Sequence, residues 1–190
     1  VRVAVASALG RLADERAVVP LVGRARDDAA EVREAIAIAL GEVGDARALA
    51  VLEQGLADKN EAVRLASVAA LGRIADASSV RALARQLGAA DSRLARAAID
   101  ALAAIDDLRA ITALLDALGS EALRADASEA LVTRAIEDGS RVVTALVEAL
   151  SGSRDAPTTD ALAAVLTRIA DVVPADGATA TLVERVSAGD

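Results

Sequence analysis

Val32-Arg33-Glu34-Ala35-Ile36-Ala37-Ile38-Ala39-Leu40-Gly41-Glu42-Val43-Gly44-Asp45 is the stretch on which the fold turns. Its apolar residues Val32, Ala35, Ile36, Ala39, Leu40 and Val43 fall at i, i+3, i+4, i+7, i+8 and i+11, one stripe of a helix with 3.6 residues per turn. Gly44-Asp45 then breaks the pattern. The same frame returns without gaps at Val1-Arg2 through Ala8-Leu9-Gly10 and at Val63-Arg64 through Ala70-Leu71-Gly72, each copy displaced by 31 residues. A fourth copy at that spacing has Leu94-Ala95 and Ala101-Leu102-Ala103, and a fifth, 29 residues on, has Leu123-Arg124 and Ala130-Leu131-Val132. A sixth, around Val165-Leu166-Thr167, is degenerate. The breaks recur as Ala13-Asp14, Ala75-Asp76 and Asp106-Asp107.

The intervening segments are also helical in period: Val80, Leu83, Ala84 and Leu87 form one stripe, and Ile111, Leu114, Leu115 and Leu118 another. Each period therefore holds two helices of roughly 10 to 14 residues joined by turns carrying Asp, Gly or Ser. No segment alternates apolar and polar residues, so no sheet is expected. A helix pair of this size cannot bury its own stripe, whereas stacked pairs share a continuous core. Alanine at 4, 35, 66 and 97, and again at 8, 39, 70, 101 and 130, lets helices approach closely, and leucine at 9, 40, 71, 102 and 131 fills between layers. The predicted fold is all-α, a right-handed α-solenoid of stacked antiparallel helical hairpins. Residues 1–190 are expected to form a single repeat domain of about six units, the first incomplete and the last a C-terminal cap. Asp155-Ala156-Pro157 is the expected start of a late helix, and a loop over Val172-Val173-Pro174-Ala175-Asp176-Gly177 precedes a final helix and a Ser187-Ala188-Gly189-Asp190 tail.

Composition narrows the chemistry. Among 190 residues there are fifty alanines and no Phe, Trp, Tyr, Met, Cys or His. No thiolate or imidazole nucleophile, no disulfide and none of the usual zinc, copper or haem sites can be built. Aromatic platforms for bases and aromatic cages for cations are equally excluded. The net charge of −8 argues against nucleic acid or an anionic membrane as partner. No apolar run approaches a bilayer span and no signal pattern opens the chain, so a cytoplasmic location is expected. Val1 in place of an initiator Met fits a chain that is processed or is part of a longer solenoid.

The unit beginning at Val18, with Pro20, Asp27, Val32, Arg33 and Ala39-Leu40-Gly41, resembles a HEAT repeat. The period of 31 and the signature Val-Arg, Ala-Leu-Gly, Gly-Asp are similar to the short HEAT-like repeats named after phycobilisome lyases. The resemblance is clear over residues 1–118 and weakens afterwards. It implies that a turn Asp and a helix Arg form a ladder between repeats, a pattern that Asp58 with Arg64 matches, and that Ala89 and Ala95 interrupt. Tetratricopeptide and ankyrin repeats have periods of 34 and 33 with other signature residues.

Adjacent carboxylates at Asp27-Asp28 and Asp106-Asp107 are read as helix caps rather than acid–base pairs. No catalytic residue, cofactor or metal site is expected. Charge is uneven: residues 62–99 carry Arg64, Arg73, Arg81, Arg85, Arg93 and Arg96 against Asp76 and Asp91, while residues 100–138 carry nine acids against Arg109, Arg124 and Arg134. Such opposed blocks make self-association a second expectation. Arg93 and Arg96 lie opposite the apolar stripe of their helix, which in HEAT-like solenoids lines the concave surface. The repeat register puts Glu31 and Glu34, Ala62 and Leu65, and Ala122, Ala125 and Glu129 in the same rows, with Asp100 one turn on and Ile38 at its equivalent place. The expected function is a non-catalytic scaffold that binds another protein, through an acidic or mixed-charge segment, on this face. Arg81 and Arg85 are assigned to the convex side. The alternative is a role like that of phycobilisome lyases, handling a chromophore or modifying a partner protein, for which a cleft with converging Asp and Arg would speak.

Overall fold

The computed structural model describes residues 1–152 and 156–172. All regular structure among them is helical. The described residues fall into two compact units that divide between Asp106 and Asp107. Each is taken by itself.

In the first unit the second helix of each repeat is α1 (Arg2–Leu12), α3 (Ala30–Val43), α5 (Glu61–Ile74) and α7 (Ser92–Ala103), while the first helices are α2 (Val18–Val22), α4 (Leu49–Gly55) and α6 (Val80–Gln86). The second helices stack side by side in chain order, and α2, α4 and α6 pack on α3, α5 and α7 respectively. The predicted stripe of α3 is the buried one, with Val32, Ala35, Ile36, Ala39 and Leu40 all inside. The first helices are shorter than the sequence spacing predicts. Each opens with a 3₁₀ turn, Glu15–Ala17, Ala46–Ala48 and Ala77–Ser79, which takes up residues that an α-helix would otherwise claim.

Both ends of these turns are set by single residues. The preceding helices end on a left-handed residue: Ala13 at φ 48°, Gly44 at 75° and Ala75 at 53°. Glycine is the unstrained choice at that conformation, so the two alanines carry a small backbone cost. Asp14, Asp45 and Asp76 follow, each accepting a bond from the backbone N–H two residues on, at 2.9, 2.8 and 2.8 Å. Asp91 caps α7 in the same way through the Arg93 N–H at 3.0 Å, and Asn60 caps α5 through the N–H groups of Ala62 and Val63. Side-chain oxygens of Asp and Asn at these positions accept from donors that the helix leaves open.

Layer spacing is set by glycine on alanine. A Cβ added at Gly10, Gly41 or Gly72 would stand 2.7, 2.7 or 2.8 Å from the Cα of Ala39, Ala70 or Ala101. Each glycine thus lets its helix backbone rest on the next helix, which is the close approach that the alanine columns anticipate.

The second unit contains α8 (Leu108–Ala117), α9 (Arg124–Glu137), α10 (Gly139–Gly152) and α11 (Ala156–Val172). α9 packs against α8, α10 and α11, and α10 against α8 and α11. Asp107 caps α8 through the Arg109 N–H at 2.8 Å, which fits the capping role read from Asp106-Asp107. Pro157 sits in the first turn of α11, and Val172, expected to open the loop, ends that helix; Asp155, the rest of the expected loop, the final helix and the tail lie outside the described residues.

Candidate functional site

Two surfaces of the first unit carry charge in register. One is the edge where each second helix begins. There Arg33 donates through Nε and Nη2 to the two carboxylate oxygens of Asp58 at 2.7 and 2.9 Å, and through Nη1 to the carbonyls of Asp27 and Asp28 at 2.8 and 3.1 Å. Arg64 repeats the carbonyl clamp on Asp58 and Lys59. Arg2 donates to the Asp27 carboxylate at 2.8 Å, and Arg64 lies 4.0 Å from that of Asp91. The ladder runs between repeats, as the resemblance implies, but the match of Asp58 with Arg64 is corrected: Asp58 gives its carboxylate to Arg33 of the preceding repeat and only its carbonyl to Arg64. The next rung is not lost with Ala89, because Asp91, two residues further on, takes the place of the turn carboxylate. Ala95 carries no guanidinium, while Arg124 in the second unit again clamps its own turn, through the Leu118 carbonyl at 2.9 Å.

The Arg33 guanidinium holds the Asp58 carboxyl below its ordinary range, burial opposing it. Both side chains are largely covered, at 10% and 14% exposure. A planar fork binding two oxygens and two carbonyls is a task lysine cannot repeat. Sequence reading missed a companion motif, Asp-x-Arg at 14–16, 45–47 and 107–109. Its arginine folds back on the capping carboxylate, and in all three the carboxyl is lowered to about 2 by that side-chain bond. The signal was present, since these aspartates and Asp76 recur at the 31-residue period.

The other surface is the side of α3, α5 and α7 turned away from their buried stripes. Glu31, Ile38 and Asp100 are exposed, Glu34 and Leu65 half-buried, and Arg93 and Arg96 exposed. The structure thus brings seven of the eight sequence-selected residues onto three adjacent helices of one unit. Glu129 is on α9 in the second unit, where it pairs with Arg168 at 2.6 Å. Arg93 is engaged too, in an ion pair with Glu61 of α5. That pairing depends on a rotamer reaching across a layer and has no sequence signature. Arg81 and Arg85 are exposed on α6, which packs on α7.

A cleft of about 490 Å³ opens beside the ladder. Ile36, Leu40, Leu52 and Val63 form its floor, with Arg26, Asp27, Arg33 and Asp58 among its polar lining.

The repeat geometry agrees with the sequence family that matches the chain, HEAT repeats, over residues 1–64 and 53–132. The chain belongs to the HEAT-repeat family. Among solved structures, a designed armadillo repeat protein is similar at a TM-score of 0.53 and 19% identity, covering 88% of this chain and 92% of that one. Two engineered proteins are similar at TM-scores of 0.51 and 0.52, each at 22% identity; they cover 88% and 98% of this HEAT-repeat chain and 94% and 62% of their own. Such identities speak for the α-solenoid fold alone. No curated protein matches the sequence. The family match is to HEAT repeats at large and does not single out the phycobilisome-lyase type. No described helix is long and apolar enough to cross a membrane.

Proposed function

We propose that this HEAT-repeat protein is a non-catalytic scaffold that binds another protein on the face of α3, α5 and α7. One observation carries the reading. Along the edge, Arg2, Arg33 and Arg64 are tied to turn carboxylates and hold the layers together, whereas on the face the exposed Glu31, Arg93 and Arg96 and the half-buried Glu34 and Leu65 stand in rows on neighbouring helices and present charge and an apolar contact to solvent. Repeat solenoids supply extended surface of this kind with little specialised chemistry.

The cleft of about 490 Å³ is what favours the alternative of handling a small molecule, because Asp and Arg converge on it. Those groups already satisfy one another: Asp27 with Arg2, and Asp58 with Arg33. Releasing them to a ligand would open the ladder, and the protein-binding reading is preferred for that reason.

The test is affinity capture from the source cell with the wild-type chain, with Arg93→Glu/Arg96→Glu and with Arg81→Glu/Arg85→Glu, each checked for helical content. Loss of captured protein by about fivefold or more with the first variant and not the second is expected if face charges contribute on the scale of interfacial pairs. Equal capture by all three would remove the assignment.

A further inference from the structure

Charge on the proposed face is ordered across the helices rather than along them. Rows 31 residues apart read Glu31, Ala62, Arg93 and Glu34, Leu65, Arg96. α3 exposes Glu31 and Glu42 with Ile38 between them, and its single arginine, Arg33, is turned to Asp58. α5 offers Ala62, Leu65 and Ala69, with the exposed Arg73 in the row of Glu42, and with Glu61, beside Ala62, tied to Arg93; α7 offers Arg93 and Arg96 with Asp100 one turn on. In the rows of Glu31 and Glu34 the sequence of surfaces is acidic, apolar, basic. Among the described residues no ion pair engages Glu31 or Glu34, while Arg93 is shared with Glu61 and Arg96 is engaged as well, so incoming carboxylates would exchange with those partners.

Helices in contact lie about 8–10 Å apart, which puts α3 and α7, two layers distant, roughly 16–20 Å from each other. That exceeds the screening length of about 8 Å at physiological salt. The two ends therefore attract independently, and a ligand whose charges alternate meets repulsion at both. An extended chain rises about 3.3 Å per residue, so some five or six residues bridge the ends. Alanines around one half-buried leucine give a shallow trough, suited to a backbone with small side chains and too slight to bury the apolar face of a helix.

We infer that the face of α3, α5 and α7 receives an extended protein segment with its cationic residues over Glu31 and Glu34 and its anionic residues over Arg93 and Arg96, about six positions away. This rests on the protein-binding reading above and specifies its ligand. It is tested by fluorescence anisotropy on the full chain at low ionic strength. The probe is a labelled peptide of two lysines, about five alanines and serines, and two glutamates, set against an isomer of equal composition with lysine and glutamate alternating. The segregated peptide is expected to bind about tenfold more tightly, and added salt to weaken it. Arg93→Glu/Arg96→Glu should abolish the preference and favour an all-lysine peptide; Glu31→Lys/Glu34→Lys should abolish it in the opposite sense. Equal binding of the isomers, no binding of either, or a preference that survives both variants overturns the inference. The scaffold reading is judged separately, because it falls only if capture is unaffected by the face variants.

Discussion

Ser79 sits wholly inside the first unit, and its hydroxyl has no hydrogen-bond partner in the structure. Its counterparts at the 31-residue period are Ala17, Ala48 and Ala110, all buried. A hydroxyl taken out of water without a partner costs about 1–3 kcal/mol, and alanine fills the same space less one oxygen. Ser79→Ala is therefore expected to raise stability by about 1 kcal/mol, read as a higher urea midpoint with an unchanged slope. A lowered midpoint would show that the hydroxyl is bonded in solution. The neighbouring Ser78 behaves differently: it donates to Asp76 at 2.6 Å and stands where the other turns have arginine. One serine thus replaces a cap-binding side chain usefully, and the next replaces a core methyl at a cost.

At the scale of helices, the second-helix glycines pit two effects against each other. Alanine is the better helix former by about 1 kcal/mol. At Gly41, however, the added Cβ would meet the Cα and Cβ of Ala70 at 2.7 and 2.8 Å, backbone against backbone, and neither helix can yield without parting from the other. Overpacking of this sort costs about 1–3 kcal/mol or more. Gly41→Ala is accordingly expected to lose about 1–2 kcal/mol net in denaturant unfolding, and a gain would mean that the layers slide freely. These joints were half legible: the alanine columns announced close approach, but the pairing of Gly41 with Ala70 spans 29 residues and emerges only once the layers are stacked. The ladder was misread for the same reason. Asp58 and Arg64 are six apart and look like a motif, whereas the carboxylate goes to Arg33, 25 residues back. Helix existence and the buried stripes followed from periodicity alone; the 3₁₀ openings did not, because they depend on how a capping aspartate closes the turn. On the candidate face, exposure could be read as the complement of the stripe, but not that Arg93 pairs with Glu61, nor that Glu129 belongs to another compact unit.

Across the whole chain, turns held by aspartate make stability a function of pH. Asp14, Asp45 and Asp107 are lowered to about 2 by their arginines; Asp58 is held below its ordinary range by Arg33 and Asp76 by Ser78. A carboxyl whose folded pKa lies below its unfolded value of 3.8 stabilises the fold fully above that value. The contribution is lost as pH falls toward the folded pKa, because there the unfolded chain binds more protons. Asp58 matters most, being the covered member of a pair, whereas the exposed caps are screened by solvent. Net charge acts in the same direction: with 29 acids neutralised the 21 Lys and Arg remain, and their mutual repulsion favours expansion. The thermal midpoint followed by circular dichroism is expected to hold steady from pH 7 to about 5 and to fall steeply between about pH 4 and 2. Asp58→Asn should lower the midpoint at pH 7 by removing the charge that Arg33 binds, yet leave a shallower decline in acid, since one proton-linked group is gone. A midpoint as high at pH 2.5 as at pH 5, or an acid decline of unchanged steepness in Asp58→Asn, would show that the ladder does not carry the stability assigned to it.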